Sequence, residues 1–95
     1  MITDQTLQNA ASNLVHQWLA DNWPDKKEAL NSHLYLVWNS KVLQNYKCTI
    51  FTSLPASPYF ELTYNGDKHE WYVDVYKKID NVAFVFDDDG IPYKV

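Results

Sequence analysis

Cys48 is the one thiol of this 95-residue chain, and His33 and His69 are the imidazoles that would serve it as a base in nucleophilic catalysis. Its surroundings point elsewhere. Cys48 alternates with Ile50 in a β-rich run, where a free cysteine behaves as a small buried hydrophobe. The only glycines, Gly66 and Gly90, supply no glycine-rich elbow or oxyanion loop beside it. Glu61, Asp74 and Lys77 form a second set, with the residue types of a metal-dependent hydrolase. Glu61 and Asp74 fall on one face of neighbouring predicted strands, but no further ligand or cationic group joins them. His16, His33 and His69 lack the four-residue helical spacing of a zinc site, and a lone cysteine excludes a cysteine cluster. Asp87-Asp88-Asp89-Gly90 lacks the alternating ligands and closing glutamate of a calcium loop and reads as a solvated turn. The expectation is no catalytic set, no metal and no cofactor. A small hydrolase using Cys48 with a histidine, or Glu61, Asp74 and Lys77, is the alternative.

Charge narrows the partners. The eight basic residues are all lysine, against twelve acids, for a net charge of −4. Without arginine there is no bidentate fork for phosphate or guanine, and a net negative chain repels nucleic acids and anionic membranes. Nucleic acid and membrane are therefore not the expected partners. An acidic nucleic-acid mimic, suggested by Asp80 and residues 87–89, is a further alternative, although −4 is modest for that role.

These side chains need elements to hold them. A 46% apolar fraction with four tryptophans, seven tyrosines and four phenylalanines describes a folded chain, and its length describes one domain, residues 1–95. No apolar run reaches the roughly 18 residues of a membrane span, and no signal peptide is evident, so the expected setting is cytoplasmic. Leu7, Ala10, Ala11, Leu14, Val15, Trp18 and Leu19 make one apolar stripe at helical spacing. Thr3 is the expected N-cap, Ile2 and Leu7 a hydrophobic staple, and Trp23-Pro24 the stop. Pro24 is expected to open a short second helical turn through Leu30.

Beyond residue 31 the chain reads as strands. Residues 33–39 carry apolar side chains on both faces, which predicts a central strand. Residues 40–45 read as a connection, 46–53 as a second strand, and the Leu54–Pro58 stretch as a break. Residues 59–64 and 69–77 flank Asn65-Gly66-Asp67-Lys68 as a hairpin. A four-residue loop sets Leu62 across from Trp71 and avoids the Glu61–Glu70 pairing of a two-residue loop. Residues 81–86 are the last predicted strand. The predicted fold is α+β: an N-terminal amphipathic helix on an antiparallel meander of about five strands.

Two stretches resemble a family of small proteins of unknown function encoded by phages and prophages of Gram-positive bacteria. The first is Val37-Trp38-Asn39-Ser40-Lys41-Val42-Leu43-Gln44-Asn45-Tyr46-Lys47, similar to V-W-S-C-K-T-L-Q-N followed by lysine. The second runs from Tyr59 to Lys78 and is carried by Tyr59, Glu61, Thr63, Tyr64, Asn65, Gly66, Asp67, Lys68, Glu70, Tyr72, Asp74, Tyr76, Lys77 and Lys78. Ser40 stands where the pattern has cysteine. The resemblance implies a phage or prophage origin and a cytoplasmic setting, and it transfers no mechanism.

The solvent side of the predicted hairpin is the remaining clue. Tyr59, Glu61 and Thr63 meet Tyr72, Asp74 and Tyr76 there, and tyrosine is enriched at interfaces. One helix covers only part of one face of such a sheet, which leaves Tyr35 and Phe51 uncovered as well. The sequence thus favours a non-enzymatic module that binds a host or phage protein, or a second copy in a two-fold homodimer. Tyr35, Phe51, Tyr59, Tyr72 and Tyr76 are its expected contact residues.

Overall fold

The helix signals act locally and are obeyed. In a computed structural model describing residues 3–95, α1 spans Asp4–Asn22 and α2 spans Lys26–Leu30. Thr3 caps α1 through its hydroxyl, which accepts from Thr6 N at 3.1 Å, and Asp4 stands in the first turn. The staple expected from Ile2 lies outside the described residues. Trp23 ends α1, its N–H reaching Leu19 O at 2.7 Å. Asp25 rather than Pro24 opens α2, accepting from Glu28 N, because an aspartate side chain satisfies a helix donor that proline leaves open. Ala29 of α2 is buried, and Trp23 Nε1 donates to Glu28 Oε1.

Four strands follow as an antiparallel meander in chain order: β1 Leu34–Val42, β2 Asn45–Thr52, β3 Tyr59–Asn65 and β4 Glu70–Tyr76. The fold is α+β. Leu7, Ala11, Val15 and Leu19 of α1 are buried against Tyr46, Cys48 and Ile50 of β2 and Phe60, Leu62 and Tyr64 of β3. Trp18 meets Phe60 edge-on at 5.4 Å between ring centroids. The helix reaches the two central strands, and among the described residues no layer covers the opposite face of the sheet.

Several strand expectations are corrected. The strand predicted at the centre is β1, an edge strand, exposed along nearly its whole length. Its apolar side chains on both faces reflect exposure instead of burial between layers. Residues 40–42 belong to it, so the connection to β2 shrinks to Leu43-Gln44, with Leu43 at a φ of 57°. The register jumps from Leu36 opposite Ile50 to Trp38 opposite Thr49, leaving Val37 as a bulge. That extra residue moves Trp38 to the side of Tyr35.

The β3–β4 loop has four residues, as expected, but they are Gly66 to His69. Leu62 pairs with Val73, Tyr64 with Trp71 and Asn65 with Glu70, one pair further along than predicted. Asn65 stays in the strand while its Oδ1 accepts from Asp67 N and Lys68 N, and His69 turns the chain back at a φ of 53°. Gly66 is demanded by its neighbour across the sheet: a Cβ there would run into the carbonyl oxygen of Gln44 in the β1–β2 turn. Gly66 N donates to Asn45 Oδ1, and Gln44 Nε2 donates to Asp67 Oδ1.

The last predicted strand does not join the meander. β5, Phe84–Phe86, pairs instead with β6, Pro92–Lys94, as a separate two-stranded hairpin. Asp87 builds its turn by accepting from Asp89 N and Ile91 N, and Gly90 takes a φ of 79°. All residues from Lys77 to Val95 are exposed.

Candidate functional site

Period-two alternation on β2, β3 and β4 sends one set of side chains to the helix and the other to the open face. At one end of that face Phe51, Tyr59 and Tyr76 stack in a row across the three strands. Phe51 and Tyr59 lie 5.1 Å apart at 18°, and Tyr59 and Tyr76 lie 5.1 Å apart at 15°. Tyr35 on β1 stands opposite Phe51 and extends the row. Despite the stacking, these four rings remain 38–53% exposed. Tyr72 shares the face but lies nearer the other end, opposite Thr63, where its hydroxyl donates to Glu70 Oε2 at 2.7 Å. That bond holds its phenol above the usual range. Four of the five residues singled out from the sequence are therefore gathered in one row, and the fifth stands apart from it.

Trp38 is the aromatic that alternation missed. The bulge at Val37 adds it to the open face opposite Thr49, half exposed. A bulge leaves no mark in a single sequence beyond the family-like Val37-Trp38 run, so nothing in the alternation pointed to it.

Below the row, Glu61 faces Asp74 directly across β3 and β4. Like charges in that position repel, and Lys47 relieves them by closing a 2.7 Å ion pair on Glu61 Oε1. The carboxylate keeps the Lys47 ammonium protonated above its ordinary range. The negative charge of Glu61, followed by burial and Asp74, raises the phenol of Tyr76. Lys77 lies beyond the end of β4 and is not the partner of this pair, so Glu61, Asp74 and Lys77 do not form a triad.

Cys48 lies on the opposite face, fully buried under α1, and burial pushes its thiol up to about 11. It pairs in register with Leu62. His33 precedes β1, where its backbone N–H donates to Ser53 Oγ, and His69 lies in the β3–β4 loop with Nδ1 3.2 Å from Tyr64 Oη. Neither imidazole is brought to the thiol. His16 Nε2 lies 3.5 Å from Ser32 O. Among the described residues no group of three or more His, Cys, Asp or Glu side chains converges as a metal site would require. No helix among them is long and apolar enough to cross a membrane.

A groove of about 480 Å³ runs beside the aromatic row, between the loop after β2 and the end of β4. Phe51, Tyr59 and Tyr76 form its apolar floor, Pro58 one wall, and Lys77 and Lys78 its basic rim. The site is an exposed aromatic strip with a cationic edge. Stacked rings of this kind present rigid, partly desolvated area of the sort enriched at interfaces.

The chain matches the sequence profile of a family of unknown function, DUF6275, over residues 8–86. No curated protein and no solved structure matches it.

Proposed function

From the premise that the chain belongs to the DUF6275 family of unknown function, we propose that it is a non-enzymatic protein-binding module. It acts as a phage or prophage accessory protein in the cytoplasm of a Gram-positive host, and it docks its partner on the open face of the sheet. The observation that carries this reading is the row of Phe51, Tyr59 and Tyr76, stacked across three strands and extended by Tyr35 on the fourth, yet left exposed. Aromatic rings already ordered by their neighbours lose little conformational entropy on binding, which suits them as interface anchors. The phage origin rests on the likeness of the Val37 to Lys47 and Tyr59 to Lys78 stretches to proteins of that source.

Pull-down from a Gram-positive host lysate tests the reading, with wild type compared against Tyr59→Lys and Tyr76→Lys. Wild type is expected to retain a defined protein that both variants release, while circular dichroism of the variants stays native. Retention indifferent to both substitutions, or repeated failure to retain any partner by a chain that is also a monomer in solution, overturns it.

A further inference from the structure

The C-terminal hairpin is the most anomalous part of the molecule. Phe84, Val85, Phe86, Ile91, Tyr93 and Val95 are between 40% and 81% exposed, and the hairpin pairs with no strand of the main sheet. A two-stranded hairpin alone is marginal in water and needs an apolar surface to lie on. Its register puts Phe84, Phe86 and Pro92 on one face and Val85 and Tyr93 on the other, so either face offers apolar rings.

The same chain carries a surface of matching chemistry. The groove beside Phe51, Tyr59 and Tyr76 is apolar on its floor and rimmed by Lys77 and Lys78. The hairpin has apolar strands and an acidic tip, Asp87, Asp88 and Asp89. Among the described residues the one salt bridge is Lys47–Glu61, so neither the two rim lysines nor the three tip aspartates have an ion partner among them. Residues 77–83 form no helix or strand and at full stretch reach about 23 Å, more than the roughly 14–19 Å width of a four-strand sheet. The linker is long enough to carry the hairpin clear of its own sheet.

We propose that the open aromatic face receives the C-terminal hairpin of a second copy of this chain, the two copies exchanging hairpins about a two-fold axis. This rests on the reading of that face as a docking surface and names its occupant. Each chain supplies one donor and one acceptor, so a single two-fold pairing covers both copies' apolar surfaces at once and closes the assembly at two. The acidic tip of each hairpin lies against Lys77 and Lys78 of the other copy, and Phe84 and Phe86 lie on its aromatic row.

Light scattering of the full chain at tens of micromolar is the test. Wild type is expected at the mass of two chains. The Phe84→Asp/Phe86→Asp variant, the Lys77→Glu/Lys78→Glu variant and the Asp88→Lys/Asp89→Lys variant, which spares the turn-building Asp87, are each expected to weaken the dimer at least tenfold. An equimolar mixture of the two charge-reversed variants is expected to restore the two-chain mass, because the reversed tip then meets the reversed rim. These side chains are exposed, so native circular dichroism controls for folding. A one-chain mass for wild type, including closure of the hairpin on its own sheet, overturns the exchange and leaves the docking reading to the pull-down. A dimer lost on Tyr59→Lys but indifferent to the hairpin variants keeps the face as a docking surface and overturns the hairpin as its occupant.

Discussion

At the scale of single residues, burial decides which groups are available for chemistry. Cys48 and Tyr46 are adjacent inward positions on β2, both essentially without solvent contact, and Tyr46 Oη finds no hydrogen-bond partner among the described residues. Burial, with Cys48 and then Asp4 adding to it, pushes the Tyr46 phenol up to about 12. The first consequence is inertness: a thiol reagent at pH 8 should label Cys48 only after unfolding, and labelling of the native protein would contradict its placement under α1. The second is an alkaline limit. The unfolded thiol and phenol ionise near 9.0 and 10.0, below their folded values, so the folded chain holds protons that the unfolded chain releases. Stability is therefore complete below about pH 9 and falls as pH rises toward 12, by a ceiling on the order of 3 kcal/mol for each group. Urea midpoints measured from pH 8 to 12 check this, and Cys48→Ala should flatten the early part of the decline. Phe60, wholly buried and capped by Trp18, is the packing counterpart: Phe60→Ala should cost about 3–5 kcal/mol in the same assay.

At the scale of elements, two turns meet at one end of the sheet. Gly66→Ala should destabilise the chain by about 1–3 kcal/mol, because the backbone of Gln44 stands where the new methyl must go. Leu43 makes the opposite prediction. It holds a φ of 57° with an exposed side chain, so Leu43→Asn should raise stability by about 1 kcal/mol. Thermal midpoints of the two variants, moving in opposite directions, distinguish this pair of effects. The same elements mark what the sequence makes legible. Thr3, the apolar stripe and Trp23-Pro24 act within one helix, so α1 could be read directly. The sharing of one face by Phe60, Leu62 and Tyr64 with Trp71, Val73 and Val75 followed from parity. Which pair came first depended on whether Asn65 spends its side chain inside the strand or its backbone in the loop, and composition does not encode that choice. The edge position of β1 was hidden because exposed and doubly buried strands have the same apolar pattern. The aromatic row was legible on β2, β3 and β4, where alternation holds, and illegible at Trp38, where the bulge breaks it.

At the scale of the whole molecule, the chain is thin and long: 54 × 37 × 18 Å, with a radius of gyration of 17.1 Å where a compact chain of this length has about 12 Å. One helix over one face accounts for the thinness. A dimer that matches the tip aspartates to the rim lysines is partly held by charge, so its dissociation constant should rise with salt as screening shortens from about 30 Å at 0.01 M to 3 Å at 1 M. Sedimentation across that range checks it; an unchanged constant would remove the charge pairing from the interface. The order of the strands has another consequence. Every strand of the main sheet pairs with its neighbour in sequence, whereas α1, made before β1, packs on β2 and β3. On a ribosome adding about 5–20 residues per second, ~2–9 s separate the synthesis of Asn22 from that of Asn65. During that interval the apolar stripe of α1 has no sheet to lie on. A nascent chain of this protein thus spends seconds with that stripe unpartnered, the stage at which a chaperone at the exit tunnel would meet it.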